Sequence, residues 1–223
     1  QHGGIVDKYI GDSVVALFNT PVEQADFGTQ ALKCALAIDE FAEQFRRRLH
    51  TLKWAWGVTR IGLHVDDVVV GNVGGLKRFA YTAMGDGMNT ASRMEGVNGY
   101  TGTRLMVSQS VLDHAQVPPD VTLFEVARMH LKGKKKGIDC FTLLHETEEV
   151  QNQYTSALAA LKAGRLEEAL SLFQQIPAEA ECAGLCAFHI QRIGMYTQLK
   201  AHGVKVDWAS NSFEPGGKTL AES

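Results

Sequence analysis

Residues 3–18 read GGIVDKYIGDSVVALF, and the rest of the chain is best understood outward from them. Two β-rich runs, 5–10 (IVDKYI) and 13–18 (SVVALF), flank Gly11-Asp12. Glycine followed by aspartate supplies the two tight-turn residues of a β-hairpin. Pro21 stops the second run, because proline has no N–H to give to a ladder. Beyond it the period changes. From Val22 to about Leu49 the residues Ala31, Leu32, Ala35, Leu36, Ile38, Ala42 and Phe45 repeat as one helical face. Arg46, Arg47 and Arg48 fall near that helix's end, where cations suit the macrodipole.

Further along, 58–65 and 67–73 read as two strands joined at Asp66-Asp67, and 78–83 as another. Residues 85–97 form a short helix with Met88, Ala91, Ser92 and Met94 inward. A strand at 104–107 precedes a helix at 108–115 with Ser108 as N-cap. Residues 121–131 and 138–144 form a second hairpin. After 147 only helical patterns remain, at 153–163, 165–176 and 180–201, broken at Gly164 and Pro177. The run YTSALAALKAGRLEEALSLFQQI has the small-residue spacing of a tetratricopeptide helix pair. Residues 203–223 read as irregular. The expected division is 1–146, an α/β domain; 147–202, a helical tail; and 203–223, an irregular terminus.

Composition excludes several classes of function. With 223 residues, 22 Lys plus Arg against 25 Asp plus Glu and 45% hydrophobic residues, the chain is globular and carries a formal charge of −3. That balance argues against a general nucleic-acid binder. No apolar run is long enough to span a membrane, and QHGGIVDK lacks the pattern of a signal peptide. Cys34, Cys140, Cys182 and Cys186 form no CxxC pair, which fits a reducing cytoplasm. Cys182 and Cys186 read as small core residues on one helical face. The chain begins with Gln, and a strand follows within five residues, so we expect a piece of a longer protein.

Three segments carry candidate chemistry. Asp12 at a hairpin tip has the hard oxygen that Mg²⁺ prefers, although an Asp in a turn is more often turn chemistry alone. Asn89 and Arg93, in YTAMGDGMNTASRMEG (81–96), lie four apart and share a helical face. An amide beside a guanidinium suits a sugar–phosphate ligand. The third segment, HLKGKKKG (130–137), can hold polyphosphate by charge or be a solvated hairpin tip.

In order, GG-x-x-DKYIGD, IGLH with VVVGNVGG, YTAMGD-x-x-N-x-A-S-R-M-E and LKGK resemble the catalytic domain of class III nucleotidyl cyclases, from about residue 2 to 145. The resemblance implies an α/β (α+β) fold: a ferredoxin-like, mostly antiparallel mixed sheet with helices on one face. It implies a head-to-tail homodimer with two Mg²⁺ or Mn²⁺ ions per site, held by two aspartates. Asp12 matches the second; the first normally lies upstream of GG-x-x-DKYIGD, and this chain starts after that point. The ions promote attack of the ribose 3′-hydroxyl on the α-phosphorus, with release of pyrophosphate. Asn89 matches the ribose-positioning residue, Arg93 the one that stabilises transition-state charge, and Lys132 the one contacting distal phosphates. Lys8 and Thr82 match the base-selecting pair, and a lysine donor with a threonine hydroxyl suits the N1 acceptor and N6 amino group of adenine. The implied activity is ATP to cyclic AMP in intracellular signalling, by an adenylate cyclase located in the cytoplasm. The chain as given, without the family's first strand, first helix and first metal aspartate, is expected to be inactive alone.

Two features depart from the family pattern. One metal aspartate is missing, and Asp66 stands where the family usually has Gly, either crowding the sheet or pointing outward at the turn. They keep open a second reading, a catalytically inactive regulatory module that binds nucleotide or a partner. A tetratricopeptide adaptor is weaker, because one and a half helix pairs offer little concave surface. The tail, with its Trp and Lys in VDWASNSFEPGGK, is similar to that of bacterial cyclases that carry membrane-bound sensory halves.

Overall fold

The computed structural model describes residues 1–75, 78–132, 136–203, 207 and 210–215. It forms two compact units. The first contains 1–96 and 107–118, and the second 97–106 and 119 onward.

The first unit opens with β1 (Ile5–Ile10) and β2 (Ser13–Leu17), paired antiparallel. Gly11 at φ +62° makes the two-residue connection, a conformation glycine adopts without a Cβ penalty. The ladder slips between Val6 and Lys8, so Asp7 is the extra residue of a β-bulge. The helix expected from Val22 starts later, as α1 (Phe27–Thr51). Residues 19–24 close on themselves instead: Asn19 N donates to Gln24 Oε1 at 3.0 Å, and Gln24 N to Asn19 Oδ1 at 2.7 Å.

Helix α1 buries Gly28, Leu32, Ala35 and Leu49. Ile38 and Phe45, expected inward, are exposed. They lie on a stripe with Phe41, and Phe41–Phe45–Trp56 make successive ring contacts on the surface. The apolar arc of α1 is wider than the face that its neighbours in this unit cover.

Strand β3 is only Ile61–Leu63, because 58–60 and 64–68 join no ladder. A second hairpin, β4 (Val69–Gly75) and β5 (Arg78–Met84), pairs in continuous antiparallel register, and β1 lies against β5. Helix α2 (Asp86–Thr101) follows, with Thr90, Met94 and Val97 buried. That phase turns Ser92, expected inward, toward solvent. A Cβ on Gly62 of β3 would collide with the backbone of Ala91 and Glu95, so glycine lets strand and helix touch directly.

The unit boundary cuts the last turn of α2 and the middle of β6 (Leu105–Ser108). Ser108 precedes α3 (Gln109–Leu112) as its N-cap residue, but its hydroxyl makes no cap bond. It instead meets His64 Nδ1 at 2.9 Å and Ser110 Oγ at 3.0 Å.

In the second unit β7 (Thr122–Met129) and β8 (Ile138–Leu144) pair antiparallel, with a bulge between Glu125 and Ala127. The helices are α4 (Glu148–Lys162), α5 (Leu166–Gln175) and α6 (Ala183–Ala201). Thr147 caps α4 by accepting from Val150 N. The terminus expected to be irregular holds a short strand, β9 (Ser212–Phe213), parallel to β7. Trp208 and Lys218 of the tail motif lie outside the described residues. Cys182 and Cys186 are buried, reduced and 4.0 Å apart.

A chain of buried polar groups links these elements. Tyr154 donates to the carbonyl of Glu125 at 2.6 Å, so the 2.9 Å contact with His189 is donated by the imidazole Nε2. Arg192 donates to His189 Nδ1 at 3.3 Å, to Asn211 Oδ1 at 2.9 Å and to the carbonyl of Ser212 at 3.1 Å. One tautomer satisfies all of these bonds. Glu125 closes the chain, accepting from Lys162 and Asn211. No helix among the described residues is long and apolar enough to cross a membrane.

Candidate functional site

Five of the six expected site residues lie in the first unit. Asp12 is exposed at the β1–β2 turn, where Gly11 lets the chain reverse with the carboxylate at its tip. Lys8 sits on β1 opposite Val15, its side chain 43% exposed. Its ammonium lies 3.2 Å from Asp7 Oδ2. Thr82 sits on β5 opposite Gly71. Its hydroxyl oxygen is buried with no hydrogen-bond partner among the described residues. A buried, unpaired hydroxyl is costly, and a ligand contact would offset that cost. The two hairpins that carry Lys8 and Thr82 meet, and Thr20 Oγ1 and Tyr81 Oη are 2.9 Å apart at that seam.

Asn89, exposed, and Arg93, half-buried, stand one turn apart on α2. The close seating of Gly62 against α2 fixes that helix from behind. Lys132 belongs to the second unit, exposed in the turn after β7. Gly133, Lys134 and Lys135 of its motif lie outside the described residues.

Asp66, the residue that departs from the family pattern, has a side chain 40% exposed. It points into its own turn: Oδ1 accepts from Asp67 N at 3.0 Å and Oδ2 lies 3.7 Å from His64 Nε2. Its backbone side packs on the start of α2, where a Cβ on Gly87 would stand 2.7 Å from Asp66 Cβ.

A metal fits these residues only in part. Asp12 offers one carboxylate, but among the described residues no group of three or more His, Cys, Asp or Glu could hold an ion. Magnesium typically takes one or two carboxylates and completes its shell with phosphate and water, so Asp12 can be one half of a donor set.

Asp7 was not singled out from the sequence. Its side chain is fully buried, and among the described residues neither carboxylate oxygen has a hydrogen bond. Strand alternation puts neighbours on opposite faces, and no sequence signal marks the bulge that brings Asp7 and Lys8 together.

Residues 6–145 match the family model described as the adenylate and guanylate cyclase catalytic domain. "Adenylate cyclase 1" of Rhizobium meliloti is 36% identical over 143 residues, covering 64% of this chain and 21% of that protein. "Adenylate cyclase" of Anabaena cylindrica is 32% identical over 147 residues, covering 63% and 28%. The chain therefore spans less than a third of the length of these relatives. Among solved structures, the guanylyl cyclase Cya2 aligns with TM-score 0.52 at 25% identity, covering 66% of this chain and 73% of that one. The adenylyl cyclase CyaB from P. aeruginosa aligns with TM-score 0.56 at 21% identity, covering 66% and 74%, and this likeness concerns the fold.

Proposed function

The chain belongs to the adenylate and guanylate cyclase catalytic domain family, and on that premise we propose that it forms 3′,5′-cyclic AMP from ATP. The observation that carries the choice of ATP is the Lys8 and Thr82 pair on two touching hairpins, with the Thr82 hydroxyl unpaired among the described residues. The ammonium donates to the N1 acceptor of adenine, and the hydroxyl accepts from the N6 amino group. Guanine would present an N1–H donor to the lysine, donor against donor.

The reaction is an intramolecular displacement. The 3′-oxygen loses its proton and bonds to the α-phosphorus, and the bond to the bridging oxygen breaks to release pyrophosphate. Asn89 orients the ribose so that the attack is in line. Arg93 faces the α-phosphoryl oxygens and stabilises the charge they gain. Lys132 neutralises the distal phosphates. Asp12 would hold one of two Mg²⁺ or Mn²⁺ ions, whose chemistry is to polarise the 3′-hydroxyl and the phosphate oxygens. The site is assembled in a homodimer. Residues 1–146 form the catalytic domain and 147–202 a tetratricopeptide-like tail, in the cytoplasm.

The test is a cyclase assay of the purified full-length protein with Mn²⁺ and either ATP or GTP. Cyclic AMP from ATP, with little cyclic GMP from GTP, is the expected result. Tight ATP binding without either product would instead identify a nucleotide-binding regulatory module.

A further inference from the structure

We propose that Asp7 is a positioning residue for base selection, its buried carboxylate pinning the Lys8 ammonium where the base is read. The inference rests on the reading of Lys8 as the base-selecting donor, and it assigns a role to a residue outside that set.

The geometry is unusual for adjacent strand residues. Residues i and i+1 face opposite sides of a strand, so a buried Asp beside an exposed Lys should leave their charges apart. The bulge between Val6 and Lys8 breaks that alternation. It leaves Asp7 without a cross-strand partner and lets the lysine tip return to within 3.2 Å of the carboxylate. Bulges recur beside active sites for this purpose, because one extra residue re-aims a side chain.

The energetics point the same way. The Asp7 side chain is fully buried, and neither oxygen accepts a hydrogen bond from the described residues. A buried carboxylate in that state is costly unless a cation compensates it. Among the described residues the ion pair recorded for Asp7 is with Lys8. The lysine end, still 43% exposed, keeps donors free for a ligand. Lysine has a long flexible stem, and holding it before the base arrives lowers the ordering cost of binding. The carboxylate thus acts on the nucleotide through Lys8 without touching it.

The test is a double-mutant cycle in the full-length protein. Dissociation constants for methylanthraniloyl-ATP and methylanthraniloyl-GTP would be measured for wild type, D7N, K8A and D7N/K8A, with thermal melting as a check on folding. D7N is expected to weaken the ATP analogue by roughly three- to tenfold while the GTP analogue changes by less than about twofold. In the K8A background D7N should change neither. Equal weakening of both analogues, or the same loss with and without Lys8, overturns the proposal and leaves Asp7 a structural residue. Should D7N fail to melt cooperatively, D7E enters the same cycle. It keeps the charge but moves it by one methylene, so an unchanged ATP-to-GTP ratio in D7E also overturns the proposal. The underlying reading fails separately: K8A alone must lose the ATP preference, whatever Asp7 does.

Discussion

The two units differ in how far their polar groups are joined into networks. In the second, Tyr154, His189, Arg192, Asn211, Glu125 and Lys162 form a closed chain that pins α4, α6 and β9 to β7. In the first, among the described residues, the Asp7 carboxylate has an ion pair with Lys8 but no hydrogen bond, and the Thr82 hydroxyl has no partner. The apolar surface divides the same way. Val6, Tyr9, Ile10, Val14, Phe41, Trp54, Trp56, Val69 and Met84 are exposed in the first unit, whereas Phe124, Tyr154, Phe173 and Leu185 are buried in the second. The division of polar groups is not complete, because Thr142 Oγ1 and Arg192 Nε of the second unit also lack partners among the described residues. Bare apolar faces are where ligands and partner chains bind.

The largest contrast should come from Arg93→Ala, which tests whether the open unit carries chemistry. We expect kcat to fall roughly 10²- to 10³-fold with KM nearly unchanged and melting unaltered. Equal losses in kcat and in ATP affinity would make Arg93 a ground-state contact. Arg192→Ala tests the closed unit in the opposite sense. It strips partners from His189, Asn211 and the carbonyl of Ser212, and should cost on the order of 3 kcal/mol in urea unfolding. A loss under about 1 kcal/mol would show that the network is ornamental.

Lys8→Glu sharpens the comparison within the first unit. Exchanging a donor for an acceptor should move the GTP-to-ATP ratio of kcat/KM by roughly 10- to 100-fold toward GTP, and an unmoved ratio would remove Lys8 from base selection.

The smallest effect is a pH slope. Burial, reinforced by the Arg192 charge, holds the His189 imidazole well below its ordinary value. Below about pH 6.5 the unfolded chain therefore binds a proton that the folded chain refuses. Stability from this source is complete above that pH and falls as pH drops, by at most about 1.4 kcal/mol per unit. Comparing wild type with His189→Gln in urea titrations at pH 7.0, 6.5 and 5.5 checks it; parallel slopes would rule His189 out as the source.

Much of this was readable from residues alone. Gly11-Asp12 announced its hairpin, because both neighbours are β-rich and the turn chemistry is local. The three tail helices announced themselves through Gly164, Pro177 and periodic leucines and alanines. Local signals failed where a distant group decides. Ser108 looks like a cap, yet His64 takes its hydroxyl across 44 positions. Ile38 and Phe45 have core spacing on a helix whose neighbours do not reach them. Among the candidate site residues, Asn89 and Arg93 were legible as a helical pair because helical spacing is local. The Asp7–Lys8 contact was not, because a bulge leaves no compositional mark.

Strand β9 has a practical consequence for anyone shortening the chain. The backbone N–H groups of Arg128 and His130 are occupied by the carbonyls of Asn211 and Phe213, at 2.9 and 2.8 Å. A version ending at residue 203 would bare that side of β7, an unpaired rim that a second molecule can extend. Such a protein should associate more readily than the full chain through that bared rim, which makes the two-residue strand a cover for the edge of β7.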